Sequence, residues 1–188
     1  RERTDLFVAA DRDRSTMANT IAALLNIHSG DLGKVSHYLA RAHGCPKATK
    51  REKTFLDATS AWAEGDIDTA INRLESVAHH WPRDMYAVRL CCTLKFYARK
   101  DAEGALALVR RVIDQVDDRG QAYALLSFME EEAGLFQDAE SSARTAVTLN
   151  RNLILGQHTV AHVMEAQGRD TEGVLWLEQF TDTWENLN

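Results

Sequence analysis

The apolar positions of the chain recur at an interval of 34 or 35 residues, each time around a short turn. Positions five, nine and twelve residues after the start of the turn are apolar in fourteen of fifteen cases, whereas a chain with 45% hydrophobic residues would give about seven by chance. This spacing defines one face of an α-helix. The five turns begin with "GDLGKV" at Gly30, "GDIDTAI" at Gly65, "KDAEGAL" at Lys100, "GLFQDAE" at Gly134 and "GRDTEGV" at Gly168.

A small residue precedes every turn by seven positions, which allows two antiparallel helices to approach each other closely across the turn. Each repeat is therefore predicted to be a helical hairpin, and the chain to be all-α. The small residues are Ala23, Ala58, Thr93, Ser127 and Ala161. Because no Pro- or Ser-rich linker interrupts the repeats, we expect a single domain over residues 1–188, with units of about 16–50, 51–85, 86–119, 120–153 and 154–188.

The stretch "AWAEGDIDTAINRLESVAHHWP" resembles a tetratricopeptide repeat, through the small Ala70 of its second helix and its terminal Pro82. The resemblance implies a right-handed α-solenoid of about five tetratricopeptide-like hairpins. Pentatricopeptide repeats share the period and bind RNA, but the net charge of −6 and the single short basic cluster, "KATKREK", argue against nucleic acid.

In tetratricopeptide repeats the first helix of each hairpin lines a concave groove, and the resemblance places ligand contacts ten, six and three residues before the turn. These positions give a groove that is apolar and aromatic in the middle and carries a His/Glu end. We expect it to take a protein, peptide or small ligand. The predicted contact residues are Phe55, Thr59, Trp62, Leu94, Tyr97, Phe128, Glu131, His158, His162 and Glu165.

The segment "QHTVAHVMEAQGRD" raises a metal-site alternative, because two imidazoles at i and i+4 can chelate Zn²⁺ and Glu165 offers a carboxylate. His158 and Glu165 are about 10.5 Å apart along a helix axis, so all three would not converge on one ion without bending the helix. A site would need His162 together with Glu131 or Glu132 of the preceding hairpin. Hydrogen bonding to a ligand or a neighbouring helix is the favoured interpretation, and no metal or cofactor is assigned.

Two longer stretches, Lys50 to Leu90 and Gln157 to Trp184, resemble the tetratricopeptide repeat protein 38 family over about residues 50–186. The most specific part is the H-x-V-A-H-x-x-E-x-x-G-R run that begins at His158. The resemblance implies the N-terminal part of a longer scaffold without a settled enzymatic activity. The chain departs from the family at Cys92 and Thr93, where His-Asp is usual, and ends before a histidine-rich helix that would follow.

Composition favours a cytoplasmic protein that does not cross a membrane, since no long apolar run is present and the first fourteen residues are charged throughout. The three cysteines are expected to be reduced, with Cys91 and Cys92 packed inside a helix. The first residue is not Met, which indicates a processed or fragmentary chain.

The last hairpin keeps its apolar stripe to the end, in "VLWLEQFTDTW". Because solenoids need capped ends, we expect this hairpin to meet further repeats or a second copy of the chain. The leading hypothesis is a non-catalytic interaction module. The alternative is a metal- or small-molecule-binding site, possibly enzymatic, centred on the H-x3-H-x2-E helix.

Overall fold

Helices make up most of residues 15–184, which are the residues that the computed structural model describes. Predictions that involve residues 1–14 or 185–188 lie outside this range. In chain order the helices are α1 (Thr16–Ser29), α2 (Leu32–His43), α3 (Lys50–Ala63), α4 (Ile67–His80), α5 (Met85–Thr93), α6 (Ala102–Val112), α7 (Arg119–Glu132), α8 (Phe136–Leu149), α9 (Ile154–Ala166), α10 (Asp170–Glu178) and α11 (Thr181–Trp184). The all-α prediction is confirmed.

Helix boundaries follow from capping side chains and turn glycines. Asp31, Asp66 and Asp118 each accept a hydrogen bond from the third backbone N–H of the helix they precede. Thr49 and Glu52 form a capping box at the start of α3. Four predicted turns place glycine in the left-handed region, with φ between 69° and 82°, where a side chain would be strained.

The third hairpin departs from the repeat in its first helix. A π-helical turn, Leu94–Ala98, extends α5, and Lys100 takes the left-handed position with φ 58° where the other turns have glycine. A π-turn accommodates one additional residue, so the positions before it shift by one. Cys92, rather than the predicted Thr93, is therefore the small residue at the helix crossing. Its thiol is fully buried and donates to the Ala105 carbonyl at 3.6 Å.

The helices pack as antiparallel pairs in two compact units, residues up to Trp81 and residues from Pro82 onward. In the first unit α1 packs on α2 and α3, and α3 packs on α4. In the second unit α5 and α6 precede α7 and α8, and α9 packs against both helices of the α7–α8 pair before pairing with α10. The expected single domain over residues 1–188 stays a prediction.

Predicted small positions lie where the paired helices meet. Ala23, Ala58 and Ser127 are buried, and so are the alanines five residues after the turns, Ala70 and Ala139. In the last hairpin Gly173 lies 3.9 Å, measured from an ideal Cβ position, from the Ala161 carbonyl oxygen. Within residues 15–184 the structure contains no helix with the length and apolar character that crossing a membrane requires.

Candidate functional site

Helix α9 presents the His/Glu stripe on one side and the core residues on the other. Val160, Val163 and Met164 are buried, as helical spacing predicts. His158, His162 and Glu165 are exposed. The two imidazoles and the carboxylate can therefore contact a ligand while the core contacts of α9 stay in place.

The two histidines stack and meet a carboxylate of the preceding hairpin. Their ring centroids are 4.1 Å apart, and His162 Nδ1 lies 3.5 Å from Glu131 Oε1 on α7. His158 keeps exposed surface, but partial desolvation of its ring against the protein, followed by the neighbouring His162, lowers its pKa. Burial and the nearby Glu131 raise the pKa of Glu132. His158 is thus held in its neutral form, in which the ring both donates and accepts a hydrogen bond.

The contact between His162 and Glu131 is the one that the metal alternative requires. Zinc needs three or four ligands in a defined geometry. Among residues 15–184, however, no three side chains of His, Cys, Asp or Glu are arranged to hold a metal ion. The metal alternative therefore lacks a preformed ligand set in this part of the chain.

Two cavities meet at α9. The larger, about 530 Å³, lies between α9 and α10 and is called the terminal cavity. It is lined by Ile154, Gln157, His158, Ala161, His162, Glu165, Asp170, Gly173, Val174, Leu177 and Trp184. The second, about 470 Å³, is called the first-helix cavity because α5, α7 and α9 contribute to it. It is lined by Met85, Arg89, Gln121, Ala124, Leu125, Asn152, Leu153, Ile154, Leu155 and His158.

The predicted contact residues divide between exposed and buried positions. In the second unit Tyr97 is 59% exposed, and Phe128 is half-buried with its ring 6.0 Å from that of Phe96. Leu94, expected to contact a ligand, is instead buried, because the π-turn shifts the register of α5. The same shift places Arg89, which was not predicted, in the first-helix cavity beside Ala124 and His158.

The first unit holds the other three predicted residues. Phe55 and Thr59, expected to contact a ligand, are buried, since they lie on the side of α3 that packs inside this unit. Trp62 is half-buried and its ring lies edge-on to His28 at 5.2 Å. Phe55 and Thr59 therefore stabilise the unit, and Trp62 alone of the three retains exposed surface.

Sequence reasoning missed Gln157, which organises the end of α9. Its side chain is fully buried, donates to the Arg151 carbonyl at 2.7 Å and accepts from Trp184 Nε1 at 2.8 Å. Its own carbonyl accepts from Trp176 Nε1 at 3.0 Å. Buried tryptophans need hydrogen-bond acceptors, but Trp176 and Trp184 are 19 and 27 residues from Gln157 in sequence, so helical spacing gave no signal for this role.

The chain is similar in fold to several solved structures. It matches MamA 41-end from Desulfovibrio magneticus RS-1 with a TM-score of 0.61 and 14% identity, over 91% of this chain and 95% of that one. It matches the C-terminal part of a TPR repeat-containing protein from Cytophaga hutchinsonii with the same TM-score and 14% identity, over 97% and 72%. The fold is that of a tetratricopeptide-like α-solenoid.

A double mutant of MamA RS-1 also matches, with a TM-score of 0.61 and 13% identity, over 94% of this chain and 97% of that one. No family model matches the chain. At these identities the similarity concerns the fold, and function has to be argued from the site. The resemblance to the tetratricopeptide repeat protein 38 family stays a prediction.

Proposed function

We propose that the protein is a non-catalytic interaction module that binds a peptide segment of a partner protein along the first-helix cavity. The supporting observation is a cavity with mostly apolar walls into which Arg89, Gln121 and His158 bring polar groups from three successive first helices. Apolar walls provide affinity, while a few placed polar groups fix the orientation of a ligand.

The polar groups suit a peptide rather than a strongly charged polymer. The neutral His158 ring can pair with a backbone amide or carbonyl, and Arg89 can pair with a carboxylate. Outside the cavity, Tyr97 on the π-turn that extends α5 is exposed and Phe128 on α7 is half-buried, so the same first helices also carry aromatic surface. The net charge of −6 also disfavours phosphate-rich partners. The tetratricopeptide-like fold, whose stacked hairpins create extended binding surfaces, agrees with this proposal.

The proposal is tested by selecting peptides from a display library on the immobilised protein and measuring Kd for the best one by calorimetry. Arg89→Glu and His158→Ala are expected to weaken binding about ten-fold each, because both residues line the cavity. Thr148→Ala is the matched control, since Thr148 is exposed on the second helix α8 and bonds only to its own helix. Equal affinity in all four proteins would contradict the proposal.

A metal or small-molecule site around His162 is the second candidate. The observation that favours it is Glu131 Oε2, which is buried and has no hydrogen-bond partner among residues 15–184, while Glu131 Oε1 faces His162. A divalent cation held by His162, Glu131 and a rotated neighbour would provide that partner. Titration of Zn²⁺ into the purified protein should then show one site that His162→Ala removes, and the absence of saturable binding would dismiss it.

A further inference from the structure

The terminal cavity is an open copy of the interface that the α7–α8 hairpin forms with α9. Positions 34 residues earlier belong to the α7–α8 hairpin, and there α9 packs across both helices. Ala143 on that covered face is 0% exposed, whereas its counterpart 34 residues later, Leu177, is only half-buried, and the neighbouring Val174 is 57% exposed. The internal interface therefore shows which kind of element fits the terminal cavity.

At the internal interface a small residue allows the helices to cross closely. An ideal Cβ on Gly156 of α9 would lie 3.1 Å from Val147 Cγ2 and 3.2 Å from the Ala143 carbonyl oxygen. Four residues later Val160 joins the buried cluster that includes Ala143. A helix that docks on the α9–α10 hairpin in the same way needs a small residue near Leu177 and an apolar residue one helical turn later.

A contact between an imidazole and a carboxylate accompanies the internal interface. Glu131, three residues before its turn, faces His162 of the incoming helix at 3.5 Å. The equivalent carboxylate of the last hairpin is Glu165, which lines the terminal cavity together with Asp170. Within residues 15–184 neither carboxylate takes part in an ion pair, and no Lys or Arg lines the cavity. The cavity is therefore complementary to a cationic side chain.

We propose that the terminal cavity binds one amphipathic helix of another protein. This helix carries a small residue, an apolar residue four positions later, and a Lys, Arg or His two positions after the apolar residue. The basic side chain faces Glu165. The observations that carry the proposal are the internal interface and the unpaired carboxylates. This surface is distinct from the one used in the proposed function, although His158 borders both.

The probe is a display library of 19-residue helical peptides built on the sequence of residues 150–168, with the interface positions randomised. Selection on the wild-type protein should enrich a small residue at the position of Gly156 and a basic residue at that of His162. Affinity of the best peptide is measured for Glu165→Lys, Val174→Asp and Glu178→Lys. Glu178 is the matched control, because it is exposed on α10 and does not line the cavity.

We expect Kd to rise about ten-fold in Glu165→Lys and about a hundred-fold in Val174→Asp, and to stay within about two-fold in Glu178→Lys. A library without a saturable binder, or binders that tolerate both cavity variants, would overturn the proposal. Sedimentation of the protein alone tests whether a second copy of the chain occupies the cavity instead. A dimer that Val174→Asp dissociates would place a second copy in the cavity and overturn the proposal. Arg89→Glu distinguishes this test from that of the first-helix cavity, since it should leave helix binding unchanged.

Discussion

Replacement of Gln157 by Leu removes the polar junction that holds α11 to α9. The buried side chain donates to the Arg151 carbonyl at 2.7 Å and to Thr183 Oγ1 at 3.3 Å, and accepts from Trp184 Nε1 at 2.8 Å. Leucine fills a similar volume but makes none of these bonds. The substitution therefore isolates hydrogen bonding from packing.

The expected loss follows from the number of bonds. Each intramolecular hydrogen bond contributes about 1 kcal/mol net, so the three side-chain bonds of Gln157 amount to about 3 kcal/mol. Because Trp184 is only half-buried, its indole N–H can bond to water in the variant, so an unsatisfied donor adds nothing to the loss in the free energy of unfolding. For a chain of this size, about 3 kcal/mol corresponds to a decrease in Tm of roughly 6–12 °C.

The assay is thermal unfolding followed by circular dichroism at 222 nm, with near-ultraviolet signal reporting on the tryptophans. Gln137→Leu serves as the control for the same change in an exposed position of α8, where we expect a shift within about 0.5 kcal/mol. A Tm of Gln157→Leu within about 2 °C of wild type would show that the three hydrogen bonds do not stabilise the fold as expected, since a loss of about 3 kcal/mol must produce a larger shift.

Three further predictions concern the turn at Lys100, the π-turn and the histidine pair. Lys100→Gly should stabilise the protein by about 0.5–1 kcal/mol in urea unfolding, because a left-handed residue with a side chain costs more than the added flexibility of glycine. Cys92→Leu should destabilise by about 1–3 kcal/mol and Thr93→Leu by much less, and the reverse order would contradict the register shift. Burial lowers the pKa of His158 in the folded state, so the free energy of unfolding should fall as pH drops from about 6.5, the value in an unfolded chain, through the lower folded value. His158→Gln should flatten that part of the pH profile.

Much of the fold could be predicted from the sequence because the repeat specifies local contacts. Gly65 and Gly134 mark turns that require a left-handed residue, and the small Ala70 and Ala139 occupy the helix crossings as the period predicts. Each hairpin packs on its neighbours in sequence, so periodicity carries most of the tertiary information.

The π-turn of the third hairpin could not be predicted, because it leaves the 34- or 35-residue interval between successive turns unchanged. Counting back from Lys100 gives Leu94, whereas the additional residue in the helix moves Leu94 inward and brings Arg89 to the surface of the cavity. Backbone hydrogen bonding decides between an α-turn and a π-turn, and hydrophobic spacing does not report it.

The candidate site was predictable on α9 but less so elsewhere. The stripe of His158, His162 and Glu165 follows directly from helical spacing, and all three line one cavity. The burial of Phe55 could not be foreseen, since the position of a residue on a first helix does not determine how closely the neighbouring helix packs over it. Gln157 was missed because its role depends on tryptophans that are close in space and distant in sequence.

The most direct test of the proposed binding surface is nuclear magnetic resonance mapping of backbone amides while a peptide selected on the wild-type protein is added. We expect saturable shift changes at first-helix residues of the second unit, including Arg89, Ala124 and His158, which line one cavity. Saturable changes confined to the second helices α6 and α8, or no saturable change at all, would contradict the proposal.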